Sequence, residues 1–209
     1  YRAEPFQVGG QYTARTSDPA TGELVKRKET ITRVYEYTDE NGKPVLQVAR
    51  TEHKNFPVIH FDQGSWWWGD GGHSAILYRL PRVKEAIAAG QTVFLVEGEK
   101  DVETLEALGF CATTNKGGAG KWKDNVSHDL AGARLVIIPD LDEPGQKHGR
   151  LVAFELQKIA REVRLLNLRK LDRELPDKGD VSDLVEKAGP QAAIKMLDEA
   201  ASRATLMSR

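Results

Sequence analysis

Cysteine is almost absent from this sequence: its 209 residues include a single one, Cys111. An internal disulfide and a cysteine-rich zinc site are therefore excluded, and the composition fits a reducing cytosol. The sequence also lacks the uncharged apolar run of roughly 18 residues that a membrane span requires, and it does not start with an apolar run like that of a signal peptide. We therefore expect a protein that neither enters the membrane nor is exported.

An excess of charge of one sign is also missing. Lys and Arg number 30, Asp and Glu 31, and the formal net charge is −1. The chain as a whole therefore has no general attraction for polyanions, and any affinity for nucleic acid must come from local clusters. Apolar residues make up 40% and charged residues 29%, which is typical of a globular protein with one large domain or two small ones. Because the first residue is Tyr1, we expect the chain to be a piece of a longer protein.

The first part of the chain predicts a small antiparallel sheet. Residues 1–29 have weak periodicity, and we expect an irregular N-terminal arm there. In residues 30–90 we expect a β-rich subdomain: alternating residues flank an Asn41-Gly42 turn, two further short runs cover residues 57–61 and 65–69, and an exit helix ends at Gly90. This subdomain is our candidate for template binding.

The second part, residues 91–209, predicts an α/β domain. Apolar runs such as those at residues 93–96 and 135–138 alternate with helical segments. Such runs are typical of parallel strands that helices cover on both faces. Gly189 and Pro190 should divide the C-terminal tail into two helices.

Acidic residues follow the predicted strands of this second part. They are Glu97, Glu99, Asp101, Asp140, Asp142, Asp177, Asp180 and Asp183. Ligands of open parallel sheets bind beyond the carboxyl ends of the strands, and two-residue spacing aims Asp140 and Asp142 to one side. Carboxylate oxygens suit Mg²⁺ or Mn²⁺, whose natural chemistry is phosphoryl or nucleotidyl transfer. Any single acid could instead cap a helix, but the whole set would repel itself without a cation.

Three motifs in this region resemble the topoisomerase-primase (Toprim) fold. They are Glu97-Gly98-x-x-Asp101, Asp140-x-Asp142 followed by Pro144-Gly145, and the loop at residues 178–183. The likeness covers residues 91–200 and is strongest to the catalytic half of DnaG-like bacterial and phage primases. Residues 30–81 resemble the segment that precedes this fold in primases of phages and mobile elements. The third motif is one residue longer than in DnaG-like primases, which leaves the role of Asp183 open.

The resemblance implies a Toprim-like parallel sheet and the activity of a DNA primase. Such primases usually carry a zinc-binding module upstream, and because Cys111 is the single cysteine here, we expect this sequence to be a piece that lacks that module. Such an enzyme makes short RNA primers on a single-stranded DNA template from NTPs, with Mg²⁺ or Mn²⁺. It works beside a replicative helicase in the cytoplasm of a bacterial or phage-infected cell. The alternatives are another Toprim enzyme, either a nuclease or a topoisomerase fragment, and a DNA-binding Toprim module of a replication initiator that has no catalytic activity.

The same resemblance implies roles for the acids. Glu97 would be the general acid/base or a metal neighbour, and Asp140 and Asp142 would hold the metal. Asp101 and Asp180 would complete the acidic cluster.

A glycine-rich loop at residues 115–123 is the main candidate for phosphate binding. It is not a P-loop, because Trp122 stands where Ser or Thr would bind Mg²⁺. Its backbone N–H groups could still meet a phosphate, and the alternative is an ordinary solvated turn. We expect His148 to belong to a phosphate-facing helix start. The basic candidates for nucleotide or nucleic-acid contact are Lys100, Lys116, Lys121, Lys123, Lys147 and Arg150.

Trp66, Trp67 and Trp68 are consecutive. In a strand, the middle ring faces away from its two neighbours, so one side should pack in the core. The other side, represented by Trp67, could stack on template bases, and simple packing is the alternative.

Overall fold

The computed structural model describes residues 1–17, 21–73 and 75–207. The chain forms two compact units, Tyr1–Ser74 and Ala75–Arg209. The sequence placed this boundary near residue 90, after the exit helix. The helix belongs to the second unit instead, because its Leu80 and Val83 are buried in that unit's core.

The first unit is a six-stranded antiparallel sheet in the order β1-β6-β5-β4-β3-β2. Its strands are β1 (Arg2–Ala3), β2 (Gln11–Ser17), β3 (Leu24–Thr38), β4 (Pro44–Thr51), β5 (Val58–Asp62) and β6 (Ser65–Trp68). The hairpin around Asn41 and Gly42 is confirmed as β3 paired with β4. Gly42 has a φ of 79°, a left-handed conformation that glycine adopts without strain.

The expectation of an irregular arm over residues 1–29 was wrong, because this segment contains β1, β2 and the start of β3. Residues Gln11–Ser17 form β2, which pairs along its whole length with the first half of β3, from Gln11 opposite Thr30 to Ser17 opposite Leu24. The alternation was hidden because the other side chains of β2 carry polar groups and only Ala14 is buried. A register shift between Ile31 and Arg33 separates this pairing with β2 from the pairing with β4.

The second unit contains a five-stranded sheet in the order β11-β10-β9-β7-β8. The strands are β7 (Thr92–Leu95), β8 (Cys111–Thr113), β9 (Arg134–Ile137), β10 (Glu162–Leu165) and β11 (Thr205–Leu206). The first four are parallel to one another, and β11 runs antiparallel to β10. The predicted alternation of strands and helices is confirmed here.

The helices of this unit are α1 (Leu80–Ala88), α2 (Glu99–Ala107), α3 (Asp124–His128), α4 (Glu143–Leu156), α5 (Val181–Ala188) and α6 (Pro190–Arg203). Side chains of α1 and α4 share one apolar cluster with one face of the sheet, represented by Val93, Leu135 and Val163. Helix α2 packs against β8 and α5, and α5 packs against α6. Among the described residues, no helix has the length and apolar character needed to cross a membrane.

Candidate acidic site at the strand ends

Two adjacent parallel strands deliver the central acids of the site. Leu95 of β7 lies opposite Ile137 of β9, and the Ile138 N–H donates to the Leu95 carbonyl at 2.9 Å. Glu97 follows β7 and Asp140 follows β9 by similar short extensions. Their side chains therefore emerge at the same edge of the sheet, as the sequence predicted.

Glu97 carries the clearest sign of an unsatisfied site. Its Oε1 atom is buried and has no hydrogen-bond partner. Burial and the charge of Asp142 raise the pKa of Glu97, and Asp101 adds to the effect, while a hydrogen bond from the Asp140 backbone opposes it. A buried carboxylate oxygen without a donor is costly, so the position is not explained by stability.

Gly145, in the first turn of α4, makes room for that carboxylate. A Cβ atom at this position would lie 2.3 Å from Glu97 Oε1 and 3.0 Å from both the Asp140 carbonyl and Asp142 Oδ1. Only glycine therefore fits beside these three acids without displacing them. The Gly145 N–H donates to Asp142 Oδ1 at 2.8 Å, so Asp142 also caps α4.

Asp140 is the most strongly perturbed acid of the site. Its pKa is raised to about 8, first by burial and then by the negative charges of Glu97, Asp101, Asp180 and Asp142. The five acids assigned by the resemblance are therefore neighbours in space. These acids repel one another, and a bound cation would relieve that repulsion.

Asp101 and Asp180 join the cluster from α2 and from the start of α5. Asp101 is buried, it accepts hydrogen bonds from the side chain and backbone of Ser182, and burial together with the charge of Asp180 raises its pKa to about 6. Lys100 Nζ lies 2.8 Å from Asp180 Oδ2. Lys100, expected at the nucleotide, thus neutralises one acid of the cluster.

Asp183, whose role was open, has a structural one. Its Oδ2 accepts from the Asp180 backbone N–H at 3.0 Å, and Asp180 Oδ1 accepts from the Asp183 N–H at 2.8 Å. This reciprocal pair is the capping box of α5. Asp177 is 99% exposed and pairs with Arg169, so it takes part in a separate surface contact.

The donor set suits a hard divalent cation, since it consists of carboxylate oxygens and includes the unpartnered oxygen of Glu97. Within residues 1–17, 21–73 and 75–207, however, no three His, Cys, Asp or Glu side chains are arranged closely enough to hold one ion as they stand. Carboxylate oxygens are the donors that Mg²⁺ or Mn²⁺ prefers, so the chemistry of the acids fits these ions. The carboxylates would have to move closer together to bind one ion.

The glycine-rich loop lies against the same edge. Thr114 Oγ1 donates to the Glu97 carbonyl at 2.8 Å, and a Cβ on Gly118 would come within 3.0 Å of that carbonyl. The buried Asn115 side chain donates to the Gly118 carbonyl at 3.0 Å. Of the basic residues predicted here, Lys121 and Lys123 are exposed and Lys116 is half-buried.

Helix α4 adds two exposed basic side chains, Lys147 near its start and Arg150 near its middle. We expected His148 to belong to a phosphate-facing helix start, but the structure places its side chain inside the fold. It is 8% exposed, and its Nδ1 accepts a hydrogen bond from the Gly120 N–H at 3.1 Å. The expectation failed because His148 lies on the inward face of α4, one residue before Gly149, which packs tightly on Pro139.

The three consecutive tryptophans belong to the first unit. Trp66 packs edge-on against Phe61, and Trp68, although 45% exposed, lies beside Phe6 and Tyr12. Trp67 is 37% exposed, and its Nε1 donates weakly to the Asp62 carbonyl at 3.4 Å. None of the three rings is buried, so the expectation that one side of this strand packs in the core was wrong, and Trp67 keeps a ring surface available to a ligand.

No family model matches the sequence, and no curated protein matches it. Solved structures do resemble this chain. The zinc-binding and RNA polymerase domains of Aquifex aeolicus primase give a TM-score of 0.61 at 18% identity, over 91% of this chain and 44% of that one. The E. coli primase catalytic core gives a TM-score of 0.58 at 19% identity, over 90% of this chain and 57% of that one.

The primase fragment of the bacteriophage T7 primase-helicase protein gives a TM-score of 0.53 at 18% identity, over 93% of this chain and 77% of that one. At these identities the likeness shows a shared fold. The chain therefore has the fold of DnaG-type primase catalytic cores, and it spans about half the length of the two bacterial structures.

The sequence motifs contained Asn115, Gly145 and Ser182 but gave these residues no role, and His148 was not predicted as a partner of the glycine-rich loop. Their functions depend on contacts across the chain, such as Ser182 with Asp101 and His148 with Gly120. The one available signal was the Pro144-Gly145 pair directly after Asp142, since glycine in a first helical turn suggests close approach of another group.

Proposed function

We propose that this chain is the catalytic part of a DnaG-like primase with a Toprim sheet, of the phage or mobile-element primase-helicase type. The observation that carries the proposal is the buried, unpartnered Oε1 of Glu97, which lies among four other acids at the edge of the sheet where β7 and β9 end. The likeness to primase catalytic cores supports it. The reaction would be synthesis of short RNA primers on single-stranded DNA.

Asp140 and Asp142 would hold Mg²⁺ or Mn²⁺, with Glu97 beside them. Asp101 and Asp180 would complete the negative field, although Lys100 already offsets Asp180. When bound, such a cation would neutralise charge on the oxygens of the reacting phosphate.

Glu97 would move the proton. Burial and neighbouring acids raise its pKa, so its carboxylate is a better base than an ordinary glutamate. Because Oε1 has no hydrogen bond to break, it would accept the proton of the primer 3′ hydroxyl as that oxygen bonds to the α-phosphorus of an NTP and pyrophosphate leaves. The glycine-rich loop, held against the Glu97 backbone, would direct N–H groups and Lys121 toward the nucleotide phosphates.

The first unit would hold the template. Its exposed Trp67 ring would stack on a base of single-stranded DNA, which contributes about 1 to 3 kcal/mol per base in such sites. Solved structures of this fold include a DnaG primase catalytic domain bound to single-stranded DNA and a T7 primase-helicase fragment. We therefore propose single-stranded DNA, NTPs and a replicative helicase as partners, and the cytoplasm as the location.

The test is incubation with single-stranded DNA, labelled NTPs and Mn²⁺, followed by separation of short oligonucleotides. Product should appear with the parent and disappear in Asp140→Asn with Asp142→Asn. Calorimetry should show that the same double variant no longer binds Mn²⁺. Asn retains the helix cap that Asp142 provides, so the fold should persist.

Other outcomes would redirect the proposal. Cleavage of the DNA in place of synthesis would favour a nuclease. Binding of DNA without either reaction, together with unchanged Mn²⁺ binding in the double variant, would favour a DNA-binding module without catalysis.

A further inference from the structure

The first half of β3 and its partner β2 form a two-stranded ribbon that carries positive charge on one face. Because side chains alternate along a strand, Lys26 and Lys28 share a face, and Arg15 lies directly opposite Lys26. All three side chains are exposed. The acid of this ribbon, Glu29, is buried on the other face, where Arg27 pairs with it.

The cross-strand register makes this charge pattern unfavourable by itself. Like charges directly opposite each other in an antiparallel pair destabilise it. In the described part of the chain, none of Arg15, Lys26 and Lys28 forms an ion pair that would offset the repulsion. A second pair of like charges, Arg33 opposite Arg50, follows the register shift farther along β3.

We propose that the face of Arg15, Lys26 and Lys28 is a docking surface for a nucleic-acid backbone. An anion with repeating charges is the partner that turns these positions from repulsive to favourable, and phosphates provide such a series. A two-stranded ribbon is also narrow enough to follow a nucleic-acid groove. The surface belongs to the first unit and does not depend on the acids of the second unit.

The experiment compares two triple variants of the whole chain with equal loss of charge. One is Arg15→Gln, Lys26→Gln and Lys28→Gln. The control is Lys43→Gln, Lys170→Gln and Lys195→Gln, which changes three exposed residues elsewhere. Fluorescence anisotropy measures the affinity for labelled single-stranded and duplex DNA over a range of salt concentrations.

The ribbon variant should bind more weakly, with a salt dependence flatter by about 2 to 3 logarithmic units per decade, since each of three phosphate contacts contributes about 0.7 on a single strand and about 0.9 on a duplex. The control should keep the parent slope. Whichever DNA form loses more affinity identifies the form bound. Equal slopes in the ribbon variant and the control would overturn the proposal.

Stability gives a second readout without DNA. Because the ribbon variant removes a like-charge pair, its melting temperature should equal or exceed that of the parent. If the triple variant fails to fold, Lys26→Gln alone should reduce the slope by about 0.7, and an unchanged slope there also contradicts the proposal.

An independent observation concerns His148 on α4. Its buried Nδ1 accepts from the Gly120 N–H, and burial lowers the pKa of its imidazole, so the ring stays neutral and able to accept. A cavity of about 10 Å³ is lined by His148, Asn115 and Glu97 among others. The histidine thus ties the far end of the glycine-rich loop to the helix that Asp142 begins.

We infer that His148 is a positioning residue that holds the glycine-rich loop in place for a nucleotide. The role in nucleotide binding rests on the proposed function. The placement of the loop does not, because it can be measured without any reaction.

Two substitutions distinguish the loss of the hydrogen-bond acceptor at His148 from the loss of its buried side-chain volume. His148→Leu keeps much of the buried bulk without an acceptor, whereas the Oδ1 of His148→Asn can replace Nδ1. In the leucine variant, hydrogen exchange of the Gly120 amide, followed by NMR, should accelerate about tenfold, as expected for loss of one hydrogen bond. The asparagine variant should restore protection.

The test of nucleotide binding measures the KM for ATP with the parent and both variants. We expect the KM for ATP in primer synthesis to rise about tenfold in the leucine variant with little change in kcat, and to recover in the asparagine variant. Unchanged Gly120 exchange would overturn the positioning role. Faster exchange with an unchanged KM would overturn the link to the nucleotide.

If the parent makes no primers, the proposed function fails while the exchange comparison still decides the positioning role. If His148→Leu does not fold, His148→Gln replaces it. Its longer side chain moves the acceptor away from Gly120, so protection equal to that of the parent would again contradict the inference.

Discussion

At the scale of single residues, the site is a set of acids whose own interactions are unfavourable. The unpartnered Oε1 of Glu97 and the raised pKa of Asp140 both reflect burial among like charges. Groups perturbed in this way concentrate at functional sites, because folding alone would not select them.

Replacing Glu97 by Gln should therefore abolish primer synthesis without lowering stability. The change removes a buried charge that repels Asp142 and Asp101. Each kcal/mol of relieved repulsion would raise the melting temperature by about 2 to 4 °C in a chain of this length. Differential scanning fluorimetry measures this, with the exposed Glu186→Gln as control. A large loss of stability would assign Glu97 a structural role.

The raised pKa of Asp140 predicts that the stability of the protein depends on pH. Its pKa is about 8 in the folded protein and 3.8 in an ordinary aspartate. Between these values the folded protein keeps a proton that the unfolded chain has released, so the free energy of unfolding falls as pH rises through the window. Denaturation at pH 5, 6.5 and 8 should show this decline, and Asp140→Asn should flatten it. A parent whose stability does not fall over this range would contradict the raised pKa.

At the scale of elements, the start of α4 depends on Gly145. The Cβ of Gly145→Ala would collide with the Glu97 carboxylate and the Asp140 carbonyl, and overpacking of this kind costs about 1 to 3 kcal/mol. We expect weaker Mn²⁺ binding by calorimetry as the acids move apart. The control is Glu143→Ala, an exposed position in the same turn. Equal Mn²⁺ affinity in both variants would show that the acids tolerate the displacement.

Strand β3 contains a buried charge at Glu29. Burial opposes its charged form, but hydrogen bonds from Thr51, Asn55 and Arg27 outweigh burial and lower its pKa to about 2. Between pH 4.5 and 2 the unfolded chain binds the extra proton, so this contribution to stability is lost as pH falls. Acid unfolding followed by tryptophan fluorescence should show a shallower pH response in Glu29→Gln. Identical responses would mean that Glu29 is not the group that titrates.

Much of the fold could be predicted from the period of the apolar residues. The hairpin of β3 and β4 and the alternation from β7 to β10 have clear patterns of two kinds, alternating and continuous. The strands β2 and β11 could not be predicted, since they are polar or very short and exist through pairing with β3 and β10. The helix α3 is equally short, with five residues.

The site was predictable to the extent that parallel strands bring their ends together. Glu97 and Asp140 met because β7 and β9 are neighbours. The sequence could not distinguish Asp180 from Asp183, because the capping role of Asp183 depends on backbone N–H groups at the start of α5. The sequence also could not show that Lys100 forms an ion pair with Asp180.

At the scale of the whole molecule, the chain has two compact units with separate candidate tasks. Stacking on Trp67 should be nearly independent of salt, whereas a phosphate contact by Lys121 should depend on it. Trp67→Ala should therefore weaken binding of single-stranded DNA without changing the salt slope, and Lys121→Ala should flatten the slope. The same titration of both variants tests this. If Trp67→Ala folds and binds as the parent does, the template lies elsewhere.

The two-residue strand β11 has a further consequence for the second unit. It runs antiparallel to β10 and occupies the side of that strand that would otherwise present free N–H and C=O groups. An open strand of this kind invites pairing with another molecule, and a very short outer strand discourages it. Strand β11 thus covers the edge of β10 against pairing with another molecule, a task unrelated to nucleotides or metal.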